Sequence, residues 1–141
     1  MRTKLSLADL GDLLDLPLVA VLATNRKDGG VLLSPVWHEW RDGAFHVVTG
    51  RDDVKVRHLH LDPRATILVY EQDPPYRGAE VRGRASVTEE GAHEASVRVA
   101  IRYLGERRGR AFAGEGGDDA LIRIEPDEVR AWDFADDDSL S

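Results

Sequence analysis

The segment from Ser34 to Arg64, SPVWHEWRDGAFHVVTGRDDVKVRHLHLDPR, contains the pattern that decides the fold. Turn residues at 41–43 separate two segments rich in apolar and β-branched side chains, which is typical of antiparallel strands joined by a hairpin. Asp52 or Asp53 can then cap a short helix, which Asp62 and the proline after it end. The segment therefore predicts two strands and a helix in close succession.

Apolar segments bounded by turn residues continue on both sides of this segment. They predict strands at 18–24, 31–40, 44–49, 64–71, 76–88, 121–125 and 129–134, with a turn at 125–127 between the last two. Helical spacing predicts helices between Ser6 and Pro17, from the aspartate cap to Leu61, and over 90–107, with a glycine-rich loop at 105–119. Asp9, three residues after Ser6, suggests that this serine caps the first helix. We therefore expect an α+β fold with six or seven mostly antiparallel strands in a closed or partly closed barrel and three flanking helices.

Length and composition favour one globular domain covering residues 1–141, with an acidic and flexible end at 135–141. A hydrophobic fraction of 42% and a charged fraction of 32% are those of a chain that folds around a core. The absence of cysteine excludes disulfides, thiolate zinc sites and cysteine nucleophiles. No apolar leader or 18-residue apolar segment is present, so we expect a cytoplasmic protein without a membrane span.

Charge is distributed unevenly along the chain. The net charge of −7 argues against a nucleic-acid partner, because such binding needs a basic face. One short stretch is nevertheless basic, and it contains Lys55, Arg57, His58, His60 and Arg64. A local basic site on an acidic protein suits a small anionic ligand.

The basic stretch begins in the first turn of the predicted short helix, whose Val54 and Leu59 we expect to face the core. His58 is a further candidate for that inward face. A cation is disfavoured in the first turn by the helix dipole, so Lys55 suggests an anion nearby. A phosphate at this helix N-terminus would meet free backbone N–H groups, Lys55 and Arg57, with the Thr49 hydroxyl at the preceding strand end. The alternative is that these cations are solvated surface charges balanced by neighbouring aspartates, and spacing alone leaves both interpretations open.

Longer stretches of the sequence resemble a known family. The runs SPVW, DDVKVRHLHLDPRATILV, GAEVRGRASV and IRIEPDEVRAWDF are similar to the pyridoxamine-phosphate-oxidase-like split barrels, and most closely to their F420-dependent branch. The similarity extends from Leu5 to about Phe134. It implies a split β-barrel that forms a homodimer, with the cofactor in a groove between two barrels and Trp132 contributed by the partner.

The resemblance also implies a cofactor site. In it Lys55 and Arg57 hold the cofactor phosphate with Thr49 beside them, and the segment 34–37 lines the ring. The expected cofactor-binding residues are thus Ser34, Pro35, Val36, Trp37, Thr49, Lys55 and Arg57. Coenzyme F420 is the expected cofactor and FMN the alternative, and Arg51, Arg64 and Arg77 are candidates for the carboxylates of an F420 tail.

The expected function is an F420-dependent oxidoreductase that transfers a hydride between the cofactor and a small unsaturated or otherwise reducible substrate. The alternatives are an FMN-dependent oxidoreductase of the same fold, or a flavin-, deazaflavin- or haem-binding module without turnover. No catalytic side chain can be named, because the cofactor itself supplies the chemistry. The five histidines lack metal-ligand spacing, so no metal site is expected.

Overall fold

The computed structural model describes residues 4–137 and 139. Seven strands form one antiparallel sheet in the order β2-β1-β5-β6-β7-β4-β3. The strands are β1 Ala20–Asn25, β2 Val31–Val36, β3 Glu39–Arg41, β4 Ala44–Gly50, β5 Arg64–Tyr70, β6 Arg77–Thr88 and β7 Asp119–Asp133. The helices are α1 Val54–Leu61, α2 Ala92–Leu104 and α3 Glu106–Ala113. Residues 1–3, 138, 140 and 141 lie outside the description, so the predicted flexible tail falls partly on them.

The sheet curls into a split barrel, as predicted. Its two edge strands, β2 and β3, are joined only by Trp37 and His38. A connection this short spans at most about 10 Å, so the two edges must lie close together. We call this crossing at residues 37–38 the seam of the barrel.

The barrel interior is filled by alternate residues of the strands. The fully buried side chains include Leu22, Phe45, Val47, Ile67, Val69, Val81, Ile122 and Ile124. On β6, Ala79, Val81, Gly83 and Ala85 face inward, which confirms the predicted alternation. Burial of these apolar surfaces is the main source of stability.

Helix α1 follows the prediction closely. Asp53 is the N-cap and its carboxylate accepts the Lys55 backbone N–H at 2.9 Å. The buried residues of α1 are Val56, His58 and Leu59, and His58 Nδ1 lies 2.9 Å from the Thr24 hydroxyl. The expectation that Val54 faces the core was wrong: it is 37% exposed, because it is the first residue of the helix and lies before the buried residues.

The predicted N-terminal helix is not continuous. Ser6 and Asp9 form the expected capping contact, but the chain makes two short 3-10 turns, Leu7–Leu10 and Leu13–Asp15. Gly11 between them has φ +62°, a left-handed conformation that interrupts a helix. The leucines still reach the core, so the apolar spacing was informative even though the continuous helix was wrong.

The predicted strand 31–40 is divided by the seam into β2 and β3. The apolar pattern runs through Trp37 without interruption, whereas barrel closure takes this residue and His38 out of the ladder. The His38 backbone N–H donates instead to the Tyr103 hydroxyl, at 3.0 Å. A side chain therefore replaces a strand at the point where the sheet splits.

The segment 105–119, predicted as a loop, contains α3. Gly109 in this helix packs against Ile101 of α2 so closely that a Cβ would lie 2.5 Å from the Ile101 backbone. The glycine therefore permits close helix packing and does not mark a loop. The described part of the chain contains three α-helices, the predicted number, but α3 takes the place of the expected N-terminal helix.

The last two predicted strands form one strand, β7, which pairs with β6 along its length. The pairing shifts register between Arg82 and Gly83, opposite Pro126. A β-bulge accommodates a proline that has no N–H for the ladder, so the turn predicted at 125–127 was wrong. Within the described residues, none of the helices combines the length and the hydropathy that a membrane crossing requires.

Candidate functional site

A cavity of about 480 Å³ opens beside the seam of the barrel. It is bounded by the ends of β2 and β4, the start of α1 and the end of α3. Its lining residues are Val19, Pro35, Val36, Trp37, Val48, Thr49, Lys55 and Phe112. Five of the seven residues predicted for a cofactor site are therefore brought together here: Pro35, Val36, Trp37, Thr49 and Lys55. We call this space the first cavity.

The polar end of the first cavity is a partly buried ion pair. The Lys55 ammonium lies 3.0 Å from the Asp53 carboxylate, and the lysine side chain is only 14% exposed. Burial raises the pKa of Asp53, but hydrogen bonds from the Lys55 backbone N–H, the Lys55 ammonium and the Thr49 hydroxyl outweigh it and hold that pKa below its usual value. Lys55 is thus a shielded cation whose present partner is the helix cap.

Arg57 and Ser34 do not line the first cavity. Arg57 is exposed, and its guanidinium donates to the Asp52 carbonyl at 3.1 Å. It follows Lys55 by two residues, which places it about 200° around the helix. Ser34 precedes Pro35 and Val36, the last two residues of β2, and of this strand only these two line the cavity. Within one protomer, the solvated-charge interpretation thus describes Arg57 better than Lys55.

The other end of the first cavity is aromatic. The Trp37 ring stacks on Tyr103 of α2, with centroids 4.8 Å apart and planes 7° apart. Phe112 of α3 packs against the same indole at 5.3 Å and is 70% exposed. Neither Tyr103 nor Phe112 was predicted as a site residue, because the contacts join distant parts of the chain. Their aromatic character was the only signal available in the sequence.

The Tyr103 hydroxyl fastens the seam. It donates to the Leu18 carbonyl at 2.7 Å and accepts the His38 backbone N–H at 3.0 Å. It also lies 3.0 Å from His38 Nδ1. Because the single hydroxyl proton is directed to Leu18, the His38 Nδ1 must carry a proton and donate it to Tyr103. His38 Nε2 then keeps an unprotonated lone pair, buried and without a partner among the described residues.

His38 is fully buried and electrically neutral. Burial, followed by the positive charge of Arg102, lowers the pKa of His38 to about 4. It does not line the first cavity. We therefore assign it a structural role at the seam and do not identify it as a proton donor to a substrate.

The arginines considered for an anionic tail already have carboxylate partners. Arg51 pairs with Glu89, Arg64 with Asp62, and Arg77 with Glu71 and Asp12. The hydrogen bonds with Arg64 hold the pKa of the Asp62 carboxyl well below its usual range. A ligand carboxylate would have to displace an existing acidic partner at each position.

Comparison with known proteins shows the family. The sequence model described as pyridoxamine 5'-phosphate oxidase matches residues 8–133. Comparison with curated proteins gave no match.

Several solved structures are similar to this chain. Rv2991 from Mycobacterium tuberculosis, a conserved hypothetical protein, is 27% identical, with 93% of this chain and 86% of that chain covered and a TM-score of 0.81. A structure named F420 reductase is 26% identical, with coverages of 84% and 93% and a TM-score of 0.72. HutZ, the haem storage protein of Vibrio cholerae, is 16% identical, with coverages of 87% and 92% and a TM-score of 0.67, and shows the fold alone.

Proposed function

Because the chain belongs to the pyridoxamine 5'-phosphate oxidase family, we propose that it is an oxidoreductase that binds coenzyme F420 in the first cavity. The match to an F420 reductase, at 26% identity over 84% of this chain, supports this cofactor. The proposed substrate is a small unsaturated or otherwise reducible molecule. The bound cofactor would supply the hydride chemistry, and the protein its binding and orientation.

The observation that carries the proposal is the pairing of a shielded cation with an aromatic wall in one space. Lys55 and Thr49 suit a phosphate group, since an ammonium and a hydroxyl both donate to its oxygens. Trp37 and its apolar neighbours suit a flat ring. The volume of about 480 Å³ lies within the range of about 300–1,000 Å³ usual for small-molecule sites.

The residues of this chain have defined tasks in the proposed site. Lys55 would neutralise the phosphate, with Asp53 giving up part of its contact as the second anion arrives. Trp37 would support the ring in an orientation that Tyr103 fixes by stacking. The apolar lining would exclude water from the reacting face, which strengthens electrostatic interactions there.

FMN is the second candidate, because it offers the same combination of ring and phosphate. A haem is less well supported. Haem iron is held by histidine, cysteine, methionine or tyrosine, and none of these lines the first cavity among the described residues. The cavity thus favours a cofactor anchored by phosphate over one anchored by a metal ligand.

We propose that the functional form is a homodimer. The outer face of β2 and the residue preceding β1 expose Val19, Val31 and Leu33, the last at 65%. A second copy would cover this apolar surface, and a stable dimer should bury more than about 1,000 Å² in total. The proposal includes a contribution of Trp132, which lies outside the first cavity of its own protomer, to the partner's site.

Sedimentation at micromolar concentration tests the dimer. We expect a species of twice 15.7 kDa for the wild type and dissociation for Leu33→Asp. Leu61→Asp is the matched control, because Leu61 is an equally exposed leucine on α1. A wild-type monomer, or equal effects of the two substitutions, would contradict the proposed interface.

The function itself is tested by titrating F420 and FMN side by side at matched salt. We expect micromolar or tighter binding of F420 and weaker binding of FMN. Reduced F420 should then be oxidised faster with the protein than without it when enone or quinone acceptors are supplied. Tighter binding of FMN would overturn the cofactor, and F420 binding without turnover across the acceptors would favour a binding module.

A further inference from the structure

A second cavity of about 280 Å³ lies next to the first, between β4, α2 and α3. The two share Trp37, Val48, Thr49 and Phe112. The residues found only in the second cavity are Gly50, Ser96, Val99, Ala100, Ala113 and Asp119. None of these was identified from the sequence as a site residue.

Small side chains create this space. Gly50, Ala100 and Ala113 stand where larger residues would fill it, and a Cβ built on Gly50 meets no atom within 4 Å. The remaining walls are largely apolar and include Val48, Val99, Trp37 and Phe112. An engineered apolar cavity of about 150 Å³ holds benzene, so 280 Å³ accommodates one ring with a short substituent.

The two polar side chains found only in the second cavity, Ser96 and Asp119, offer acceptors to a ligand. Asp119 is partly buried and its carboxylate has no ion pair or side-chain hydrogen bond within residues 4–137 and 139. Its neighbour Asp118 takes the contact with Arg51, at 3.8 Å. The Ser96 hydroxyl donates a hydrogen bond to the His93 carbonyl at 2.8 Å, so only its lone pairs remain for a ligand. A ligand that contacts Ser96 or Asp119 must therefore bring its own donor.

We propose that the second cavity binds a small single-ring aromatic molecule bearing a hydrogen-bond donor, and a protonated amine best of all. The ring would pack against the apolar and aromatic walls, and the donor would face Asp119. Phe112 lines both cavities and is 70% exposed, and among the described residues its ring packs against Trp37. The assignment of this ligand as the hydride acceptor rests on the proposed function, whereas its binding does not.

The binding test uses the full chain without cofactor and three probes: benzylamine, phenol and benzoate. Benzylamine should bind at least about tenfold more tightly than benzoate, and phenol should have an intermediate affinity. A charge-assisted hydrogen bond contributes enough free energy for a ratio of this size. Asp119→Asn should reduce the ratio to within about threefold. Asp118→Asn, one residue away but outside the cavity, should leave the ratio unchanged. No preference for the amine, or equal effects of the two variants, would overturn the proposal.

A steric pair tests the location. Ala113→Leu should fill the cavity and weaken benzylamine binding about tenfold, whereas Ala111→Leu, on the exposed side of the same helix, should not change it. The F420 affinity of Asp119→Asn should match that of the wild type. Loss of probe selectivity with normal F420 binding would identify Asp119 as part of a separate subsite. Absence of F420 binding with intact probe selectivity would reject only the proposed function.

Discussion

The two ends of the first cavity are held in place in different ways. At the aromatic end, Trp37 is fixed by Tyr103, whose hydroxyl also binds Leu18 and the buried His38. At the polar end, Lys55 is held by one ion pair with Asp53, two residues away. The aromatic end is therefore fixed by distant parts of the fold, whereas the polar end is a local pair whose anion a ligand can replace.

The largest expected effect is at the polar end. Lys55→Ala should weaken F420 binding by about 1.5 to 3 kcal/mol, the range for hydrogen bonds to charged groups, with little change in the fold. Titration of both proteins at the same salt concentration measures the difference. Lys27→Ala, which removes an exposed lysine from a turn, is the control and should bind normally. An unchanged dissociation constant for Lys55→Ala would show that the phosphate lies elsewhere.

At the aromatic end, the buried His38 beside Tyr103 should make the free energy of unfolding depend on pH. Because burial lowers the pKa of His38 from 6.5 to about 4, the unfolded chain binds a proton there that the folded chain does not. The contribution of His38 to the free energy of unfolding is therefore fully present above about pH 6.5 and is lost as the pH falls towards 4. Between pH 7 and pH 5 this loss amounts to about 2 kcal/mol. Urea unfolding at these two pH values measures the loss.

Other groups also titrate in this range, so the result depends on a difference between variants. Between pH 7 and pH 5, the free energy of unfolding of His38→Asn should fall by about 2 kcal/mol less than that of the wild type. This difference does not depend on how stable the variant is at pH 7. His60→Gln, which changes an exposed histidine, should keep the wild-type profile. Identical pH profiles for His38→Asn and the wild type would contradict a neutral, buried His38.

The smallest expected effect is a gain. Asparagine caps a helix about as well as aspartate, so Asp53→Asn should leave α1 intact while removing the anion that competes for Lys55. F420 should then bind about two- to fivefold more tightly, as expected for loss of one partly exposed charge pair. Calorimetric titration of the variant and the wild type would measure it. Weaker binding would mean that Asp53 holds the cofactor and does not compete with it.

The same contrast explains what could be predicted from the sequence. The cap at Asp53, the cation at Lys55 and the start of α1 are within a few residues of one another, so local rules were sufficient. The strand alternation gave the sheet for the same reason. The contacts of Trp37 with the stacked Tyr103 ring and the tilted Phe112 ring depend on how α2 and α3 pack, which no local pattern specifies.

The errors in the predicted elements also have long-range causes. The strand pattern runs through Trp37, and only barrel closure divides it. Gly109 suggested a loop, although its role is to let α3 approach Ile101. Pro126 suggested a turn, although a bulge opposite Gly83 keeps β7 continuous. In each case, long-range packing outweighed the local structural preference of the residue.

The two-residue seam gives the molecule a built-in reporter. Trp37 lines the first cavity and also lies in the two-residue connection between β2 and β3. A molecule that binds against its ring therefore also stabilises the seam. A ligand that binds only the folded form at 100 times its dissociation constant raises the free energy of unfolding by about 2.7 kcal/mol. Melting temperature can therefore rank candidate cofactors and ring compounds before any reaction is known.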